Sequence, residues 1–395
     1  MQQSGKSKNE IYAELTALLR SDLSYDSGKI IGSMCTKPHE FAAEVFTRYL
    51  DKNLGDPGLF PGSYELEQRL IKEIGTLFGD PTASGSIVSG GSEANMIACR
   101  IAKKLRPEIK NPEIVISEAA HISFFKAADF MDITIRKAKV DPETYELDME
   151  SYKNQISDKT IMLLGIPGTT GLGTIEPIPE IAKLAEKHKI YFHADAAFGG
   201  FVLPFLEKLF PNKYPLWDLR LAQLDSMTAD PHKMGMGVVP SGGFLIRQKG
   251  LPEKARFEIP YLAGGGFKHL SLLGTRPGAS AISFWALMQY LGFNGFLQIA
   301  KTCWENTLLL RDLIQDTPGI FIAKEPSINV LGIKLENKAD HSICKLDTEL
   351  RKKGWAMGIF RNWNFARVVI MPHITQEHIY RFIEDIKEAI KQINP

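Results

Sequence analysis

The sequence predicts an α/β protein: a mostly parallel, seven-stranded sheet flanked by helices, with a smaller C-terminal α+β domain. Three observations carry this. From about residue 85, seven short apolar runs alternate with helical stretches: SIVS (86–89), EIVIS (113–117), ITIRK (133–137), IMLLGI (161–166), IYFHA (190–194), SMTA (226–229) and GFLIR (243–247). Strands of this kind, continuous in apolar character, suit a sheet covered on both faces. The runs stand about 15 to 35 residues apart, enough for right-handed helical crossovers. Glycine, hydroxyl and charged residues follow the runs, and in open α/β sheets ligands sit beyond the carboxyl ends of the strands.

The elements follow in chain order. Two helices, at about 8–20 and 40–52, form an N-terminal arm over residues 1–55. NLGDPGLFPGS (53–63) is a turn-rich patch, and the segment after it places Leu66, Leu70, Ile74 and Leu77 on one buried helix face. The large sheet domain is expected over 56–280 and the connector with the small domain over 281–395. In the latter, an amphipathic helical region (281–316) precedes two strand-like runs, NVLGIKL and ARVVIMP, and a closing helix, EHIYRFIEDIKEAIKQI.

Composition bounds the function. The 395 residues carry 47 Lys and Arg against 46 Asp and Glu, a net charge of +1. A nucleic-acid binder usually shows a basic excess or a basic run, and neither is present. No stretch approaches the length of a membrane span, and MQQSGKSKNE has no apolar signal core. Cys35, Cys99, Cys303 and Cys344 lie far apart, without disulfide or metal spacing. This pattern fits reduced thiols in a cytoplasm, and no metal is expected.

Five strand ends carry the candidate chemistry. After SIVS comes GGSEAN: the Gly91 and Ser92 amides and the helix dipole suit a phosphate, or the segment is a tight turn with Ser92 as N-cap. After EIVIS, His121 lies near the sheet edge, in a structural or a catalytic role. After IMLLGI, a glycine-threonine loop offers Thr169 and Thr170. After IYFHA, Asp195 has little reason for burial without a cationic partner, while His193 is read as alternating away from it towards a helix. After SMTA, Asp230, His232 and Lys233 crowd a turn, where Lys233 is either a solvated loop residue or a site lysine. LLGTRPG (272–278) adds Gly274, Thr275 and Arg276 as anion donors. No P-loop, dinucleotide fingerprint, nucleophile elbow or zinc spacing competes. An anion site, a lysine and a carboxylate together are what pyridoxal phosphate requires.

SGGSEAN, the SEAAH histidine, GTTGLGTIEPI, HADAAFGG and ADPHKMG resemble, in order and spacing, the motifs of the group II pyridoxal-phosphate-dependent decarboxylases of fold type I. The resemblance covers about residues 30 to 375. Within that group GSMCTKPHEFA, NLGDPGLFPGS and SMTADPHKMG look like the archaeal L-tyrosine/L-aspartate decarboxylases, whose products are tyramine for methanofuran or β-alanine for coenzyme A. The resemblance implies that Lys233 forms the Schiff base, that Asp195 faces the pyridinium nitrogen and that His121 stacks on the ring. It assigns Gly91 and Ser92 to the phosphate, Thr170 and the small Ala197 to the ring, and Arg367 to the substrate carboxylate. It implies a homodimer in which Gly274 and Thr275 reach the neighbouring subunit's cofactor phosphate. Tyr261, in a segment where relatives carry a mobile loop, His232 or a water is the candidate proton donor to Cα, and His232 is also a candidate cofactor contact. Asp230 departs from the asparagine of aromatic amino-acid decarboxylases and has no assigned partner.

Rival readings are a carbon–carbon lyase of the sphingosine-phosphate lyase type, which GTRPG also resembles, an aminotransferase, and a non-catalytic cofactor-binding regulator. For a tyrosine substrate His39, Phe60 and Tyr64 are candidate pocket liners. For aspartate, Lys37 and Lys268 are candidate cations.

Overall fold

The computed structural model of the chain describes residues 3–247, 255–336 and 342–393. In chain order the elements are α1 (Lys8–Leu19), α2 (Glu40–Arg48), α3 (Pro61–Leu77), β1 (Ser84–Val88), α4 (Gly91–Leu105), β2 (Glu113–Ser117), α5 (Ile122–Met131) and β3 (Thr134–Ala138). There follow α6 (Met149–Asn154), β4 (Thr160–Gly165), α7 (Ile178–His188), β5 (Tyr191–Asp195), α8 (Leu203–Leu209), β6 (Ser226–Ala229) and β7 (Gly242–Ile246). The hairpin β8 (Phe257–Ile259) and β9 (Phe267–His269) leads to the long α9 (Gly278–Gln315). The chain closes with β10 (Ile320–Ile322), β11 (Val330–Leu335), α10 (Ser342–Lys352), β12 (Gly358–Phe360), β13 (Phe365–Val369) and α11 (Gln376–Ile393).

The large sheet has the order β1-β7-β6-β5-β4-β2-β3. The β3–β2–β4–β5–β6 ladder is parallel throughout, and β7 runs antiparallel to both β6 and β1. Strands β2, β4 and β5 are buried along their whole length, which is why they are apolar without alternation. Their side chains still alternate between faces. Leu163 and Phe192 enter one core with α3, α7 and α8, whereas Met162, Leu164 and Tyr191 enter the other with α4 and α5. The C-terminal sheet, β10-β11-β13-β12, is antiparallel. A third core, between that sheet and helices α9, α10 and α11, includes Leu331, Ile333, Val368, Phe382 and Ile386.

The predicted strands match β1 to β7 within two residues at each end. The hairpin β8–β9 replaces what sequence reasoning treated as a loop, because its strands are three residues long and leave no periodic signal. Helix α9 bends at Gly292, whose φ of 57° is left-handed, a conformation glycine adopts without steric cost. Helix α1 buries none of its residues, and Ile11, Tyr12, Leu15, Leu18 and Leu19 stand exposed along it. Among the described residues, no helix is long and apolar enough to cross a membrane.

Candidate active site

The carboxyl ends of β1, β2, β4, β5 and β6 converge on one cavity of about 290 Å³. Each end supplies a different chemical handle. The turn after β1 supplies an anion cradle: Gly90, Gly91 and Ser92 line the cavity where the 15-residue helix α4 begins. A Cβ on Gly91 would lie 2.8 Å from Asp230 Oδ2 and 3.1 Å from Ala197 Cβ, so only glycine fits there. The cap residue is Gly90, which removes the reading of Ser92 as N-cap. Ser92 instead stands in the exposed first turn, where unpaired amides and the helix dipole favour negative charge.

The turn after β2 places His121 against the cavity as the N-cap of α5, its Nδ1 accepting from Ser123 N at 3.2 Å. Burial holds the imidazole below its ordinary pKa, against the opposing pull of Asp195. The loop after β4 is held from beneath by Glu176, whose Oε2 accepts from Ile166 N at 2.8 Å. Burial raises that carboxyl to about 8, so near pH 7 it is largely the neutral acid. Within the loop the Thr169 hydroxyl is engaged as acceptor of Thr174 N at 3.1 Å, while Thr170 lines the cavity.

Asp195 ends β5, buried at 6 % exposure. Its Oδ2 accepts from Asn95 Nδ2 at 2.8 Å and its Oδ1 from Ala197 N at 3.1 Å. His193 is buried with it, held near pKa 4 by desolvation. The expectation that His193 turns away from Asp195 is wrong. Residues two apart in a strand share a face, and both side chains bond Asn95 of α4. Asn95 is the site residue that sequence reasoning passed over, although its place in SGGSEAN, one helical turn beyond Gly91, put it above the end of β5.

Beyond β6, Lys233 Nζ lies 3.2 Å from Asp230 Oδ2, and His232 Nε2 lies 3.6 Å from the same oxygen. Asp230 therefore has partners, although its buried Oδ1 has no hydrogen bond among the described residues. His232 Nδ1 accepts from Ser241 N at 3.1 Å, and desolvation lowers its pKa.

Other predicted residues stand elsewhere. Tyr261 is 83 % exposed between β8 and β9, and Gly274 and Thr275 are exposed ahead of α9. Arg276 is not free for an anion: it is buried against Glu67 at 2.6 Å. Phe60 immediately precedes Pro61 of α3 and lines a separate groove with Tyr49, Leu59 and Trp285. His39 caps α2 and meets the Tyr290 ring edge-on at 5.8 Å. Neither therefore lines this chain's cavity, because each is drawn to its own helix start. Tyr64 packs edge-on against Phe267 at 5.2 Å. Lys37 is an exposed partner of Asp26 at 2.7 Å, not a substrate cation. Arg367 on β13 reaches back to the loop, donating from Nη1 to the Thr170 carbonyl at 2.8 Å and from Nη2 to the Gly32 carbonyl at 2.7 Å. Its Nε has no partner among the described residues, and desolvation depresses the guanidinium to about 10.

Residues 32–336 match the family model described as the pyridoxal-dependent decarboxylase conserved domain. The chain belongs to the pyridoxal-dependent decarboxylase family. It is 39% identical over 389 residues to the L-aspartate decarboxylase of Thermococcus kodakarensis, covering 98% of this chain and 99% of that one. The L-aspartate/L-glutamate decarboxylase of Pyrococcus horikoshii is 39% identical over 386 residues, 98% of each chain. The probable L-tyrosine/L-aspartate decarboxylase of Methanothermobacter thermautotrophicus is 38% identical over 365 residues, 92% of this chain and 98% of that one. In fold the chain is similar to the solved sphingosine-1-phosphate lyase of Burkholderia pseudomallei, with a TM-score of 0.90 at 23% identity over 99% of this chain and 92% of that one.

The cofactor of this decarboxylase family is pyridoxal 5′-phosphate, and the cavity has the matching donor set. The start of α4 would hold its phosphate, the buried Asp195 carboxylate would suit a protonated ring nitrogen, and the Lys233 amine would suit its aldehyde. Gly91, Ala197 and Asp195 line the same cavity, and a side chain at 91 would run into Ala197 and Asp230. The chain is thus a pyridoxal-phosphate-dependent amino-acid decarboxylase.

Proposed function

We infer that this decarboxylase acts on L-aspartate, releasing carbon dioxide and β-alanine, with Lys233, Asp195 and His121 as its catalytic residues. The supporting observation within the cavity's surroundings is Arg367: a largely desolvated guanidinium with no carboxylate partner among the described residues, tied to Thr170 at the cavity wall. Such a group gains most from a bidentate carboxylate, which an amino-acid substrate brings. The full-length similarity to L-aspartate decarboxylases favours aspartate. In that reading the β-alanine serves coenzyme A synthesis, and the enzyme is cytoplasmic.

Bound pyridoxal phosphate supplies an aldehyde to capture the substrate amine and a ring to accept the electron pair left when carbon dioxide departs. Lys233 would hold the cofactor and, when released, would carry protons as a free amine. Asp195 would keep a facing ring nitrogen protonated, since opposite charges in contact attract by about 4 kcal/mol at an effective dielectric near 20. His121 would shield the cofactor from one side. Arg367 orients the departing carboxylate. His232, or Tyr261 contributed by a second subunit, returns a proton to Cα. Gly91 and Ser92 would hold the phosphate, with Thr170 and Ala197 among the residues that would hold the rest of the cofactor.

L-tyrosine is the second reading. A chamber of about 540 Å³ adjoins the cofactor cavity through His121 and Thr170 and is walled by Tyr145, Phe360, Trp363 and Phe365, a surface suited to an aromatic side chain. In that reading the product is tyramine, for methanofuran. Incubation of the holoenzyme with L-aspartate, L-glutamate and L-tyrosine, followed by identification of the amine, separates the two. We expect β-alanine, and Arg367→Met is expected to raise KM by roughly 10- to 100-fold, as loss of a charged hydrogen bond implies. Tyramine as sole product would overturn the aspartate assignment.

A homodimer completes the reading. The uncovered apolar face of α1 and the exposed Tyr261, Gly274 and Thr275 are placed to meet a second copy of the chain. Sedimentation equilibrium should give twice the chain's mass, and Leu15→Glu with Leu18→Glu should weaken the dimer. A monomer that is fully active would refute it.

A further inference from the structure

The carboxylate and the imidazole that face the cofactor cavity are wired to one side chain. Asn95 is 1 % exposed, on the second turn of α4. An ionised Asp195 can only accept hydrogen bonds, so the Asn95 group 2.8 Å from its Oδ2 is the amide NH2. The Asn95 carbonyl then points the other way, where it accepts from Thr228 Oγ1 at 2.8 Å and from His193 Nε2 at 3.1 Å. His193, neutral through burial, carries its proton on Nε2, leaving Nδ1 to accept from Ser226 Oγ at 2.8 Å. Ser226 Oγ accepts in turn from the Tyr191 hydroxyl at 2.6 Å. Two donors on its carbonyl therefore fix the amide of Asn95 against a flip.

The second amide proton runs to the other catalytic group. Asn95 Nδ2 donates to Ser123 Oγ at 3.0 Å. Ser123 Oγ lies 3.0 Å from His121 Nδ1, which also accepts from Ser123 N at 3.2 Å. With Nδ1 serving as acceptor, the neutral imidazole carries its proton on Nε2, the nitrogen with no hydrogen bond among the described residues. Every hydroxyl and amide along this path donates in one direction, and the residues from Tyr191 to Ser123 are buried.

We propose that Asn95 is a positioning residue that sets two catalytic groups at once, holding the carboxylate of Asp195 in place and, through Ser123, fixing His121 as its Nε2–H tautomer. The cavity is thereby presented with an acceptor at one wall and a neutral donor at another. A ring nitrogen that must stay protonated requires the first. A stacked imidazole that must not add positive charge beside Lys233 requires the second. This rests on the cofactor-site reading above, but its test does not need turnover.

The decisive variant is Asn95→Asp, which preserves shape and removes both donors. The new carboxylate can only accept, so it competes for the Ser123 proton now given to His121 and repels Asp195. In the cofactor-free protein labelled with ¹⁵N-histidine, with His121 assigned by its loss in His121→Gln, the native His121 should show an unprotonated Nδ1 and a protonated Nε2. Asn95→Asp should mix the tautomers and raise the imidazole's titration midpoint. It should also weaken pyridoxal phosphate binding at least tenfold, measured by fluorescence titration. Ser123→Ala cuts only the hydroxyl link and keeps the residue-123 N–H on Nδ1, so His121 should stay Nε2–H and cofactor affinity should stay within about twofold. If Asn95→Asp does not fold, Asn95→Ala replaces it: it should weaken cofactor binding likewise and loosen the His121 tautomer without raising the midpoint. An unchanged His121 pattern together with unchanged cofactor affinity in the folded Asn95 variant overturns the proposal. Failure of the aspartate assignment would leave both of these readouts intact.

Discussion

Replacing Lys233 with alanine is expected to lower kcat by about three orders of magnitude or more, the upper part of the range for losing a positioned proton carrier, with the cofactor's covalent tether lost as well. Lys233 occupies its place because β6 is four residues long and wholly buried, so the chain must turn at Asp230 and present the lysine at the strand's carboxyl end. The Asp230 carboxylate, 3.2 Å away, steers the amine into the cavity. The measurement is single-turnover decarboxylation together with the visible absorbance that Lys233 lends the bound cofactor. In the variant that absorbance should vanish, and borohydride should no longer fix the cofactor to the chain. A Lys233→Ala protein with undiminished turnover would remove the lysine from the mechanism.

Replacing Asp195 with alanine should be nearly as severe, for an electrostatic reason. Removing an attraction of about 4 kcal/mol between the carboxylate and a protonated ring nitrogen corresponds to a loss of roughly 10³ in rate if it is expressed fully in the transition state. Asp195 is held at both oxygens, by Asn95 and by the Ala197 amide, so the native charge is preorganised rather than recruited during reaction. The variant should still fold, because alanine leaves no new buried charge. Its steady-state kcat and its affinity for pyridoxal phosphate are the quantities to measure. Retention of more than a tenth of the native kcat would show that this carboxylate does not govern the ring.

Much of this arrangement was legible in the chain itself. The seven apolar runs became β1 to β7 because burial on both faces demands unbroken apolar character, a local signature. Lys233, Asp195, His121 and Gly91 were legible for a related reason: each stands within four residues of the end of such a run, and the topology of a parallel sheet brings those ends together. The misreading of His193 was avoidable, since residues 193 and 195 share a face by strand geometry alone. The short hairpin β8–β9 was not legible, as three-residue strands carry no period.

Asn95 marks the boundary between the two kinds of information. The α/β class, the family motifs and the strand-end residues suited to pyridoxal phosphate can be read along the chain, because they depend on composition and on spacing along one element. Which of them meet follows from packing between elements. That packing withdrew Arg276 into a pair with Glu67 and set Phe60 and His39 apart from the cavity. It brought Arg367 from the C-terminal sheet to Thr170. It also joined Asp195, His193 and His121 through an asparagine some hundred residues from His193 and Asp195 in the chain. Hydrogen-bond direction depends on which polar atoms are buried within about 3 Å of one another, and that is fixed by packing across elements rather than by any local pattern.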